Sequence, residues 1–209
     1  MPHARVSLWV GAALLGATVL LTAGILLGVD DGPFPIDRAW QDLLVPVRAP
    51  LLLWFSYAMN VIGGGWVAIL VVPIGVAVVL VVLGRPWSAA YFVVAAAVSA
   101  GMVQVVKHLV GRARPEDILV ISDFGSFPSG HVANAATVAM ALFVLFPHLW
   151  TALAGAAWVV LMAFSRTYLG AHWLTDTIGG ALIGAAAALL VAAVFAKPLR
   201  AEGLAKVTT

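Results

Sequence analysis

Residues 51–83 read LLLWFSYAMNVIGGGWVAILVVPIGVAVVLVVL, without one charged side chain. A helix that crosses a bilayer takes about 20 predominantly apolar residues. The run is therefore too long for one simple span, and Gly63-Gly64-Gly65 divides it. Residues 51–62 are expected as a short interfacial or partly inserted helix, and 66–83 as a span closed by Arg85-Pro86-Trp87. The rest of the chain has the same character. Of 209 residues, 63% are hydrophobic and 10% charged, against about 45–50% and about 25% in soluble domains. The mean hydropathy is +1.08. A single soluble core cannot hide that much apolar surface, so a soluble enzyme and a disordered tail are both excluded. With no cysteine, disulfides, thiolate metal sites and cysteine nucleophiles are excluded too. The net charge of +2 comes without a basic patch large enough for nucleic acid.

Working outward from 51–83, further apolar runs bring the expected spans to 6–29, 66–83, 88–110, 130–146, 149–167 and 172–196, within a single domain 1–209. The first run exceeds the roughly 7–15-residue core of a signal peptide and is read as a retained span. In residues 30–50, Ile36, Trp40, Leu43 and Leu44 fall at helical spacing opposite the Asp and Arg side chains. That pattern suits a short helix at the interface, with Trp40 at headgroup level. The fold class is an all-α integral membrane protein, with six transmembrane helices and a short interfacial helix after the first span.

Six spans put both termini on one side. Arg5, Arg85, Lys197, Arg200 and Lys206 lie there, and Arg38, Arg48, Lys107, Arg112, Arg114 and Arg166 lie opposite. Basic residues alone are nearly balanced. Four of the opposite cations belong to the clusters described next, and setting them aside leaves the excess on the terminal side. The positive-inside rule then makes the termini cytoplasmic, with the loops at 30–50, 111–129 and 165–172 facing outward in a multi-pass cell-membrane protein.

Three segments carry nearly all the polar residues near the span ends: KHLVGRARP at 107–115, PSGH at 128–131 and SRTYLGAHWLTD at 165–176. The expected topology gathers them at one membrane face, and charge at membrane depth is costly and usually functional. Lys107, Arg114 and Arg166 can together neutralise a phosphate, the arginines in forked fashion. Ser129, Gly130 and His131 open a helix, whose free N–H groups and dipole favour an anion. His172 and Asp176 are four apart on one helix face, where a carboxylate can hold one imidazole nitrogen as N–H and leave the other as nucleophile or base. His131 remains as a proton donor. These are the parts a phosphomonoester needs. The same residues also admit plainer readings: Lys107 and Arg112 as snorkelling span-end cations, Ser129 as a helix cap, and His172–Asp176 as a structural pair. A metal site is disfavoured by the three nearby cations.

The segments resemble the tripartite signature of the type 2 phosphatidic acid phosphatase superfamily, K-x6-R-P, P-S-G-H and S-R-x5-H-x3-D, with every fixed position filled in order. The resemblance implies a membrane phosphatase without metal or other cofactor. His172 would attack phosphorus to form a phosphohistidine, and Asp176 would orient it. His131 would protonate the leaving oxygen and then activate water. Lys107, Arg114, Ser129, Gly130 and Arg166 would hold the phosphate. The implied substrates are lipid phosphates or diphosphates: undecaprenyl diphosphate, in recycling a cell-wall carrier, or phosphatidylglycerol phosphate or phosphatidate. Two other activities stay open, a phosphotransferase of the same family and a non-catalytic protein that binds or transports an anionic lipid. The oligomeric state is open as well.

Overall fold

The computed structural model describes residues 4–28 and 32–205. The end of the first expected span at Val29, the acidic pair Asp30 and Asp31, and the tail from Lys206 onward lie outside the described residues. Within them the chain is all-helical. α1 is Ala4–Leu27, α2 Pro35–Leu44 and α3 Pro50–Ile62. A short π-helical stretch, Val67–Val71, leads into α4, Val72–Val82. α5 is Pro86–Val110, α6 Gly130–Leu145, α7 Leu149–Tyr168, α8 Leu174–Val194 and α9 Ala196–Ala205. Pro35, Pro50 and Pro86 start α2, α3 and α5, positions where the missing N–H costs nothing and the fixed φ is already helical.

Among the described residues, four helices (α1, α5, α7 and α8) are long and apolar enough to cross a membrane. A fifth span exists if Pro50–Ile62 and Val67–Val82 count together, bent by 51° where they meet. The short helix expected over 51–62 is Pro50–Ile62, and the helix expected over 66–83 runs Val67–Val82, the two meeting at that bend. α6, expected as a span over 130–146, is apolar but has 16 residues. The last expected span also shortens at its start, since α8 begins at Leu174 and leaves His172 in the preceding loop.

α2 forms where the short helix after the first span was expected. Its buried residues are Asp37, Gln41 and Leu44, while Ile36 and Leu43 are exposed. Asp37 and Gln41 thus pack into the protein, where they find partners, while Ile36 and Leu43 face outward together with Arg38 and Asp42.

α8 is the axis of the bundle, packed on α1, α5 and most extensively on α6. Its small residues set that distance. A Cβ on Gly180 would overlap the carbonyl of Ser129, and one on Gly184 the carbonyl of Ala133. The two backbones therefore lie against each other, as small-residue interfaces in membranes allow. That contact places the start of α6 beside the start of α8. Away from the site, Tyr91 and Phe92 of α5 pack with Ala141 of α6 and Ala188 of α8.

Candidate active site

The polar residues converge where the C-terminal turns of α5 and α7 meet the N-terminal turns of α6 and α8. α5 stops at Gly111, left-handed at φ 58°, with its N–H bonded to the Lys107 carbonyl. Lys107 thus lies in the last helical turn, where a cation complements the helix dipole. Its ammonium is 2% exposed and donates to the Gly125 carbonyl at 2.7 Å. Arg114, on the following loop, donates to the same carbonyl at 2.8 Å and also to the Ala171 carbonyl. Arg166 ends α7, 2% exposed, and donates through Nη1 to the Asn60 side-chain oxygen.

His172 is 2% exposed. Its Nδ1 lies 2.7 Å from the carbonyl oxygen of Ser126. A carbonyl only accepts, so Nδ1 carries the proton and the Nε2 lone pair is free. Nε2 lies 3.3 Å from Nη1 of Arg114. Burial, reinforced by Arg166, Arg114 and Lys107, holds this imidazole's pKa well below its ordinary value. The ring is neutral, the form a nucleophile requires.

The expected carboxylate partner lies beyond hydrogen-bond distance of His172. Asp176 Oδ2 is 3.7 Å from Nδ1, farther than the Ser126 carbonyl. That oxygen accepts from the Trp173 N–H at 2.8 Å, closing the first turn of α8, and Oδ1 takes Nη1 of Arg112 at 2.5 Å. Arg112, which could have been a snorkelling cation, is instead buried between two carboxylates. Its Nη2 is 2.7 Å from Asp37 Oδ2. Asp37, from α2, also accepts from the N–H and hydroxyl of Thr175, at 2.8 and 2.7 Å. A buried chain Asp37–Arg112–Asp176 therefore fixes the start of α8.

His131 occupies the first turn of α6 with Nε2 3.1 Å from the Asn60 carbonyl. It fits because α3 ends in glycine: a Cβ on Gly64 would overlap the imidazole. The glycine run that divides 51–83 is thus also a close approach to this histidine. Ser129 caps the same turn, wholly buried. Its hydroxyl has no hydrogen-bond partner among the described residues, and neither does Nε of Arg166. Buried polar atoms normally have partners, and both are donors suited to an anion.

His131, Gly130, Arg166 and His172 line one cavity of about 600 Å³. Away from them much of its wall is apolar, with Ala68, Ile69 and Pro73 on the α3–α4 side and Val93, Ala97 and Val103 on α5, and Ser99, Gln104 and Asn134 among the polar residues. From Lys107 to Val93 is roughly 20 Å along the helix, the scale of a lipid chain rather than of a headgroup.

Every residue singled out from the sequence thus borders this end of the bundle. Five others at this end were not assigned to the site. Arg112 sits inside the spacer of the first motif, and Asn60 is a polar side chain in an otherwise apolar run, which was a usable signal. Asp37 shares the helical spacing of Gln41 and Leu44. Ser126 contributes only a backbone carbonyl, which no side-chain pattern reveals. Asp123 carries no sequence signal beyond its charge.

The PAP2 superfamily matches residues 88–200. The chain is 33% identical to the lipid A 1-phosphatase of Rhizobium johnstonii over 122 residues, 53% of this chain and 49% of that protein. It is 41% identical to the undecaprenyl-diphosphatase of Sulfolobus acidocaldarius over 59 residues, 28% of each. The chain spans about half the length of the curated relatives it matches first. The crystal structure of the transmembrane PAP2 type phosphatidylglycerolphosphate phosphatase from Bacillus subtilis superposes with a TM-score of 0.78, at 25% identity, over 90% of this chain and 96% of that one.

Proposed function

We infer the reaction from the premise that this chain belongs to the PAP2 superfamily: it is an integral-membrane phosphatase that hydrolyses a lipid phosphate or diphosphate. One observation carries the reading. A buried, neutral histidine is pinned through Nδ1 by a carbonyl, so that Nε2 faces a cluster of cations at the polar end of an apolar cavity.

The lipid phosphate enters with its oxygens on Lys107, Arg114, Arg166, the Ser129 hydroxyl and the amides that open α6, which have no helical partner. Nε2 of His172 attacks phosphorus as the ester oxygen leaves in line. His131, entering as the imidazolium, gives that oxygen its proton, so the lipid departs as an alcohol, or as a lipid phosphate when the substrate is a diphosphate. The phosphohistidine keeps its Nδ1 proton on Ser126, with Asp176 near enough to stabilise the positive ring. Neutral His131 then takes a proton from water, the hydroxide attacks phosphorus and the P–N bond breaks. This releases inorganic phosphate and restores both histidines. The cations balance the developing charge that a metal supplies elsewhere, and the apolar cavity receives the chain.

The finer topology is six spans, with α6 as the fourth, the termini cytoplasmic and the site outward. α6 supports this by joining the site-end loop to the tight turn at Pro147-His148 at the far end of the bundle. The positive-inside count supplies the orientation.

The test is a phosphate-release panel in detergent with excess EDTA, across undecaprenyl diphosphate, phosphatidylglycerol phosphate, phosphatidate and a lipid A phosphate. Release from at least one, inhibited by vanadate, is expected. Binding without release on all four would favour the anionic-lipid carrier, and activity restored only by Mg²⁺ would overturn the cation-based mechanism.

A further inference from the structure

We propose that Asp123 is an exchange ligand of the phosphate cradle. Its carboxylate holds Lys107 and Arg114 between turnovers, yields them to the substrate phosphate, and returns to expel inorganic phosphate. The proposal rests on the phosphatase reading above.

Asp123 lines the same cavity as His131, Arg166 and His172. Its Oδ1 lies 2.8 Å from Nη2 of Arg114 and 3.4 Å from Nζ of Lys107. One carboxylate oxygen thus lies where a phosphoryl oxygen would bind these two cations. The carboxylate is the loose member of this cluster. The Asp123 side chain is 61% exposed, against 2% for Lys107 and 12% for Arg114. An ion pair with so exposed a partner is worth little and breaks readily.

The cations do not depend on that carboxylate for their positions. The Gly125 carbonyl accepts from both, at 2.7 and 2.8 Å. The backbone carbonyl of Asp123 itself accepts from Arg114 at 3.0 Å, and that of Phe124 from Lys107 at 3.4 Å. When the side chain swings out, the backbone still holds the two cations in place. Only the side chain has to move, and it already opens toward solvent.

The device answers a difficulty of a cation-lined site. Inorganic phosphate carries the same charge as the headgroup it came from, so three buried cations would retain it. A carboxylate tethered a few ångströms away competes at a high effective concentration. It weakens headgroup and free phosphate alike, but only the substrate has a chain to place in the apolar cavity. The cavity therefore favours esterified over free phosphate, and the exchange releases the product that has no chain to hold it.

The experiment compares the full-length wild-type protein with Asp123→Asn, Asp123→Ala and Asp123→Glu in detergent. Binding of inorganic phosphate is measured by titration calorimetry, and product inhibition by phosphate is measured during lipid hydrolysis. The Asn and Ala variants should bind phosphate about five- to tenfold more tightly, the loss of a weak competing pair on two cations, and product inhibition should deepen by the same factor. The Glu variant should stay near wild type. A merely structural Asp123 that oriented the cations would shift binding the other way. Unchanged or weaker phosphate binding in both the Asn and Ala variants overturns the proposal. The phosphatase reading fails separately, by the absence of lipid hydrolysis in the wild type, and the isotherms report exchange in either case.

Discussion

Asp37→Ala tests whether the site depends on a residue outside all three motifs. The Asp37 side chain is fully buried and accepts three hydrogen bonds, from Arg112 at 2.7 Å and from the N–H and hydroxyl of Thr175 at 2.8 and 2.7 Å. Its removal leaves Arg112 with one carboxylate instead of two and orphans a backbone donor in the first turn of α8. Breaking a buried pair by deleting one partner costs about 3–5 kcal/mol. For a chain of this size that lowers Tm by on the order of 10 °C. Asp37→Asn keeps an acceptor for the Thr175 N–H and loses only the charge, so it should cost less, about 1–3 kcal/mol. Lipid phosphate release should fall about tenfold or more in the Ala variant, because Arg112 draws Asp176, and the turn that carries His172, off their positions. Thermal unfolding in detergent and initial rates measure both effects. A cycle with Arg112→Met should be strongly non-additive, since removing both ions costs less than the sum of the two single changes. An Asp37→Ala protein within about 0.5 kcal/mol and twofold in rate of wild type would refute the buried chain as the support of the site.

The other predictions address the chemistry and the placement. His172→Ala should trap no acid-labile phosphoenzyme with any substrate, whereas His131→Ala should still form it from an activated aryl phosphate and lose lipid monophosphate turnover; equal loss of both substrates in His131→Ala would reverse the roles. Gly64→Ala brings a methyl against the His131 ring and should cut lipid turnover about 10²-fold, while Gly101→Ala, which meets nothing within 4 Å, serves as the neutral control. Because burial and the cations depress the His172 pKa, the ring stays neutral down to below the ordinary imidazole value of 6.5. Removing one cation in Arg114→Gln should raise its titration midpoint, so that the nucleophile is lost at a higher pH; ¹⁵N shifts of labelled histidine check this, and a midpoint that falls or stays put contradicts it. Single cysteines at Ser122 and Leu204 should label from opposite sides of intact cells, and labelling of Ser122→Cys only after permeabilisation would invert the topology.

The polar segments at 107–115, 128–131 and 165–176 were legible because bilayer cost makes every charge near a span end conspicuous, and their residue types are those that bind and cleave a phosphoester. The tertiary partners were less so. α2 shows why: its amphipathic spacing was visible, but spacing alone does not say that Asp37 and Gln41 turn inward while Ile36 and Leu43 face out. Asp176 shows the same limit on a smaller scale. Its four-residue spacing from His172 was readable, yet Nδ1 meets the Ser126 carbonyl at 2.7 Å, and Asp176 bonds Arg112 and the Trp173 N–H instead.

By itself the sequence determined the class of solvent, the helical architecture and the chemical types at the site, all of which follow from composition, run length and short-range spacing. Only the tertiary structure decided how α3 and α4 bend together, which residues of α2 are buried, and which carbonyls and carboxylates hold each candidate site side chain. The physical reason is that hydropathy and helical period are properties of a segment, whereas a hydrogen bond between Asp37 and Arg112, or between His172 and a backbone carbonyl, exists only once separate helices pack. Here the packing depends on Gly180 and Gly184, where the absence of a Cβ lets α6 and α8 meet.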